Sequence, residues 1–195
     1  CGPVIIHTVI QEIITKFNSL YPNIEVNIHV DHPRKIVEKV KSGYFDIGFL
    51  STEYLNVENN FKTLSLHKEN ICFIANSSHP ILLEDKISIN KILQYPLALP
   101  KIFIENMGSL KINLSEANIS IRTCLTSNDY NLLLHTVRNT DAITAAPKHL
   151  FDRYSESKDL VCLDYNDDNL YWHAHALYDP IRMYSGSTKL FLDII

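Results

Sequence analysis

The chain has 195 residues and a mass of 22.4 kDa, with 46% apolar, 21% charged and 10% aromatic residues. This composition excludes disorder, a collagen-like repeat and a disulfide-stapled mini-scaffold, and the length allows either one core or two lobes of ~100 residues each. With 18 basic against 22 acidic side chains the formal net charge is −4, which excludes a surface that grips a polyanion by neutralising its phosphates.

Ile6, Val9, Ile10, Ile13, Ile14, Phe17 and Tyr21, separated by Gln11, Glu12, Lys16 and Asn18, predict an amphipathic helix over residues 4–21. Pro22 and Asn23 end it. Ile24, Val26, Ile28 and Val30 then alternate with Glu25, Asn27 and His29, the pattern of a strand with one wetter face. Pro33, placed where a first helical turn needs no N–H, opens a helix whose stripe is Ile36, Val37 and Val40 and whose end is Gly43. Residues 44–50 carry Asp46 and then a compact apolar run, read as a buried strand of a parallel sheet. Helix, strand, helix, strand is the order of an α/β layer.

Residues 71–75 predict a further strand, and the turn-forming Asn76, Ser77, Ser78, His79 and Pro80 after it mark a candidate lobe boundary. Beyond that cluster the pattern restarts. A short helix is expected near 88–94, a strand at 97–99, a helical region at 107–117, a strand at 119–125, a helix at 129–138 and a small strand at 142–146 ended by Pro147. A second lobe with its own sheet fits this order. Strands at 160–163 and 170–178 and a closing helix at 187–195 complete the series, with 166–169 a solvated turn.

Chemistry-bearing motifs are scarce. No GxGxxG, GxxxxGK, GxSxG or HExxH occurs, which argues against the common nucleotide enzymes, and no cofactor is expected. His29 with His32, and His173 with His175 on one face of a strand, offer two ligands each, short of a complete site, so no functional metal is expected. Cys1, Cys72, Cys124 and Cys162 lie far apart without CxxC spacing and read as buried thiols. A redox pair of Cys124 and Cys162 would require the fold to bring them together. No apolar run approaches the ~18 residues of a membrane span, and no export leader opens the chain.

The segments FNSLYPNIEVNIHV, DHPRKIVEKVKSGYFDIGFL, ICFIANSSHPI, YPLALP, SNDYNLLLHTV, DAITAAPKHL and ALYDPIRMYSGSTKLFLDII, in that order, resemble the effector-binding domain of a bacterial LysR-type transcriptional regulator over almost the whole chain. The resemblance implies an α/β, two-lobed fold like the type 2 periplasmic binding proteins, two Rossmann-like subdomains joined by crossover strands near 74–77 and 172–177. The first lobe would comprise residues 1–75 and 175–195, and the second 76–174. It also implies a small, often anionic effector between the lobes, met by Gly2 and Pro3, His32 and Pro33, Ser51, Met107 and Gly108, and Ser127 and Asn128. Gly2, His32 and Pro33 stand where hydroxyl residues are common, and His32 would supply a cationic or tautomer-dependent contact instead. Residues 138–141 replace a glycine-containing turn. The family's first strand would precede Cys1, and its DNA-binding winged helix-turn-helix would lie further upstream.

By the same resemblance the domain performs no catalysis and pairs as a homodimer through the 4–21 helix and the 24–30 strand, with higher oligomers in the full-length protein. It would touch DNA only through the upstream segment, avoid membranes and work in the cytoplasm. An exported solute-binding protein of a transport system shares this fold and is the first alternative; an enzyme on the same scaffold is the second.

Overall fold

Residues 1–69 and 172–195 form one unit and residues 70–171 another, joined by two long strands, β2 (Lys62–Asn76) and β7 (Tyr171–Tyr178). The computed structural model describes residues 1–2, 4–51, 61–101, 103, 121–154, 158–168, 170–181 and 186–195.

In the first unit the predicted 4–21 helix is two pieces, a 3-10 turn (Ile5–His7) and α1 (Val9–Leu20). Thr8 separates them with φ −132° and ψ −111°, and its Oγ1 donates to the Ile5 carbonyl at 3.0 Å. The buried face of α1 is Ile10, Ile13 and Phe17, and the Phe17 ring meets Phe191 of α6 (Gly186–Leu192) at 4.8 Å. Helix α2 (Pro33–Lys41) starts at the predicted proline and is followed by Gly43, whose φ of 75° is a left-handed turn that favours glycine.

Strand β1 (Ile47–Ser51) takes β7 as its partner, with Phe49 opposite Ala176 and Ser51 opposite Ala174. That pairing is antiparallel, a correction to the parallel reading, because the neighbour is the returning C-terminal segment rather than the product of a helical crossover. Ile36 and Val40 of α2 close over Leu50 and Leu177 to form a core in which Val37, Phe45 and Phe61 also pack. Gly48 permits this approach: a Cβ there would stand 2.8 Å from the Ile36 Cγ2 and 3.0 Å from the Val40 Cγ2.

The alternating 24–30 segment is not a strand of any sheet. Its backbone ties lie at its two ends: the Ile24 N–H donates to the Tyr21 carbonyl at 3.1 Å, and at the other end the Cys1 amine donates to the His29 carbonyl and the Asp31 N–H donates to the Cys1 carbonyl at 3.2 Å. On the other side of residues 1–2, the Gly2 N–H donates to the Phe49 carbonyl at 2.8 Å. Alternation dictates an extended backbone, but a ladder needs a neighbouring edge at ~4.8 Å, and here only two residues supply one. Along the rest of its length the segment lines a cavity of about 460 Å³ with Ile10, Phe17, Phe45, Phe49 and Phe191.

In the second unit β2 pairs antiparallel with β5 (Thr144–Pro147), Cys72 opposite Ala146, and with β6 (Leu160–Cys162), Ile74 opposite Cys162. Strands β3 (Leu97–Leu99) and β4 (Thr123–Thr126) pair parallel, and a parallel bridge from Leu97 to Ile143 ties them to the approach to β5. Phe73, Ala75, Leu97, Leu99, Ile143, Ala145, Leu163 and Leu170 form the core with Ile81 and Ile92, the latter on the short α3 (Ile89–Ile92). Helix α4 (Tyr130–Arg138) buries Tyr130, Leu133, Leu134 and Val137, and α5 (Lys148–Tyr154) packs on β5. The helix expected at 107–117 lies outside the described residues. Among those described, no helix is long and apolar enough to cross a membrane.

Adding a methyl group at Gly48 forces α2 away from β1, so Gly48→Ala should lower stability by ~1–3 kcal/mol. Gly186→Ala, where nothing lies within 4 Å of the added Cβ, serves as the near-neutral control. Urea midpoints of the two variants measure the difference, and equal midpoints would remove the close-approach argument.

Candidate functional site

Four of the nine anticipated site residues gather at one end of the first unit. Gly2 is held by its N–H to Phe49, two residues before Ser51, and the Cys1 carbonyl holds Asp31, one residue before His32. Gly2, the His32–Pro33 turn and Ser51 therefore stand together where extended segments give way to the helix N-terminus of α2. Ser51 is buried (8% exposed) opposite Ala174. Pro3 lies outside the described residues.

His32 is the N-cap of α2, with extended φ −64° and ψ 139°, and its Nδ1 accepts from the Arg34 N–H at 3.3 Å. An accepting Nδ1 puts any ring proton on Nε2. Pro33 follows at the first helical position, where its missing N–H leaves nothing unpaired. Asp31 braces the turn: its carboxylate accepts from the His32 N–H at 2.8 Å and from Lys39 Nζ at 3.1 Å, with Lys35 Nζ at 3.8 Å. The His32 N–H bond, then Lys39, holds the Asp31 carboxyl below the usual carboxylate range.

Two more anticipated residues lie in the second unit. Ser127 follows β4, donates its N–H to the Leu99 carbonyl at 3.2 Å and accepts the Asp129 N–H on its Oγ at 3.0 Å. Asn128 is exposed. Asp129 caps α4 by accepting the Asn131 N–H at 2.9 Å. The set therefore sits at the carboxyl ends of the parallel strands β3 and β4, where open α/β sheets hold ligands. Met107 and Gly108 lie outside the described residues.

Sequence reasoning missed two carboxylates that build these turns, Asp31 and Asp129. The available signal was an Asp immediately before His-Pro in one case and immediately before an apolar helical run in the other. The first set carries the imidazole of His32 and the hydroxyl of Ser51, and the second the hydroxyl of Ser127 and the amide of Asn128, groups that suit a polar ligand.

The histidine pairs have structural neighbours. The His173 and His175 rings are 4.0 Å apart on β7, with His173 Nε2 2.8 Å from Ser65 Oγ, and His29 packs on Phe45 at 5.3 Å. The buried-thiol expectation holds for Cys1 and Cys72 and is corrected for Cys124, which is exposed, and Cys162, which is half-buried; Cys124 donates to the Leu97 carbonyl at 3.4 Å, and the sulfur near Cys162 is that of Cys72.

Comparison with known proteins gives a match over residues 1–195 to the family model described as LysR substrate binding domain. A curated relative, the probable RuBisCO transcriptional regulator of Trieres chinensis, is 27% identical over 135 residues, 69% of this chain and 42% of its own length. The crystal structure of HinK, a LysR family transcriptional regulator from Pseudomonas aeruginosa, superposes with a TM-score of 0.77 at 15% identity, covering 100% of this chain and 66% of that one. The effector-binding domain of QuiR in complex with shikimate gives 0.77 at 16% identity, covering 99% and 91%. These likenesses give the chain the two-unit α/β fold of LysR effector-binding domains, a regulatory rather than a catalytic family. The chain spans between 28% and 60% of the length of the curated relatives it matches.

A carboxyl with a lowered folded pKa contributes stability above its unfolded value of ~3.9 and loses it as pH falls through the folded value. Asp31→Asn should therefore be less stable than the parent at pH 7, with the gap closing below about pH 4. Urea unfolding at the two acidities checks this; a gap independent of pH would mean that the carboxylate charge is not what braces the turn.

Proposed function

The chain belongs to the LysR substrate-binding-domain family, and from that membership we propose that it senses a small metabolite and passes the binding event to a DNA-binding segment of the whole protein. The observation that carries this reading is the family match along all 195 residues, supported by the placement of polar turns at strand ends in each unit. The effector contacts proposed are those of the sequence reading: Gly2, Pro3, His32, Pro33, Ser51, Met107, Gly108, Ser127 and Asn128. QuiR's effector domain holds shikimate, and the effector here belongs to the same broad class of small polar molecules. It acts only through different affinities for two arrangements of the domain.

For the whole protein, the reading adds an upstream winged helix-turn-helix that makes the DNA contacts and a cytoplasmic location, where its DNA lies. The relatives' names as transcriptional regulators support this. It also adds a homodimer through the first unit. Ile28 (43% exposed) and Val30 (50% exposed), together with the exposed Leu20 at the end of α1, leave apolar surface on this side of the unit that a second copy would cover.

A thermal-shift screen of metabolites identifies the effector, because a ligand of the folded state alone raises its melting temperature. With that ligand, His32→Ala and Ser127→Ala should each weaken binding about 2- to 10-fold in calorimetry, the loss of one hydrogen bond, while the domain stays folded. Unchanged affinity in both variants would sink the site assignment. Ile28→Glu should move the domain towards monomer in sedimentation, and an undisturbed dimer would move the interface elsewhere.

A further inference from the structure

Cys72 and Cys162 occupy neighbouring strands of the second unit, and strand register fixes their relation. Ile74 stands opposite Cys162 across the antiparallel β2–β6 pair, so Cys72, two residues before Ile74, shares that face one diagonal step away. Asn76 on the same face donates to the Thr140 carbonyl at 2.7 Å, just beyond α4, which makes this the face that α4 covers. The two sulfurs are near enough for each to affect the other's ionisation, and the Cys162 Sγ lies 3.8 Å from the Leu163 carbonyl. Cys72 is buried and Cys162 half-buried, so the pair opens to solvent through Cys162. Lys148, at the start of α5 and ion-paired with Asp152, adds positive charge near both sulfurs.

Diagonal positions of an antiparallel pair lie ~7–8 Å apart at Cα, beyond the ~6.8 Å that a disulfide spans without backbone movement. An ion bound by both sulfurs lengthens the bridge by two metal–sulfur bonds and fits the diagonal. Thiolates select soft ions, and two of them with a monovalent ion leave one negative charge, placed beside the Lys148–Asp152 ion pair. We propose that Cys72 and Cys162 form a two-sulfur site for a soft monovalent cation of the Cu(I) and Ag(I) class. Binding replaces two S–H bonds with two metal–sulfur bonds and releases two protons to solvent, with no change of oxidation state.

The test uses the full chain with Cys1→Ser and Cys124→Ser, so that only this pair remains, and Ag(I) titrated under reducing conditions against a thioether competitor. The expected result is one Ag(I) per chain, two protons released, both thiols protected from alkylation and a raised melting temperature. Serine at either position should weaken Ag(I) binding well beyond the ~10–100-fold that loss of an outer-shell partner costs. Where the buried Cys72→Ser fails to fold, the half-buried Cys162→Ser decides. Ag(I) uptake unchanged in Cys162→Ser overturns the proposal. So does quantitative closure to an intramolecular disulfide by a small disulfide reagent with the fold intact, since the sulfurs would then meet without an ion between them.

Discussion

β2 changes its surroundings halfway along its length: residues 62–70 are mostly exposed, and 72–76 are buried without a break. One strand must therefore satisfy two environments, and its hydrogen bonds change partners as it does so. In the second unit it is a central strand between β5 and β6, with Phe73 and Ala75 on the core face. The returning β7 solves the same problem in reverse, ending as the antiparallel partner of β1. Because both strands are continuous, each unit is a closed core built around a piece of chain that the other unit also uses. The chain passes between the units within two strands, β2 and β7.

The anticipated site follows from where those ladders stop. In the first unit the Gly2–Phe49 and Asp31–Cys1 bonds draw three chain segments together just where α2 begins. In the second, Ser127 bonds Leu99, so the ends of β3 and β4 are pinned side by side where α4 begins. Each helix start is capped from within, by His32 Nδ1 and by Asp129 Oδ1. The caps set the turns rigidly, which lowers the entropy a ligand must remove on binding. Charge is arranged locally as well: Asp31 sits among Lys35 and Lys39, so these three side chains carry a net positive charge despite a chain total of −4.

Legibility in the sequence tracked how far a segment's periodicity reflected its burial. Helix α2 was visible because a stripe, a proline at its first position and a glycine stop agreed, α4 because of its apolar stripe, and β3 because its three residues are wholly apolar and buried. The first half of β2 was invisible: KTLSLHKEN lies exposed in a ladder, so hydrogen bonding holds it extended with little apolar burial to leave a pattern. Helix α5 was hidden behind Pro147, which ends β5 and is followed at once by the helix. Residues 24–30 show the opposite failure, since alternation specifies an extended backbone and one favoured face but not a partner. The site was legible only through the family resemblance. His32–Pro33 and Ser127–Asn128 could be placed at helix starts, while the bonds that join Gly2 to Phe49 and Ser127 to Leu99 are contacts between remote segments that no local spacing encodes.

The turn after β2 shows why polar composition is a poor guide to exposure. Asn76, Ser78 and His79 read as turn formers, yet His79 is 1% exposed and each of its ring nitrogens has a partner. Nδ1 accepts the Ile81 N–H at 3.0 Å and Nε2 meets the Asp141 carbonyl at 3.1 Å, so the ring is held as its Nε2–H tautomer. Its face packs on Tyr95 at 4.5 Å. Asn76 meanwhile donates to Thr140 and accepts from the Ser78 N–H and Oγ, both at 3.0 Å. Burying such groups unpaired would cost about 1–3 kcal/mol each, whereas paired they fix one geometry. Both residues reach the same stretch, 140–141, that leads into β5. The polar turn thus couples the end of β2 to the strand beside it, and it replaces with side-chain bonds what a shorter glycine turn would do with backbone alone.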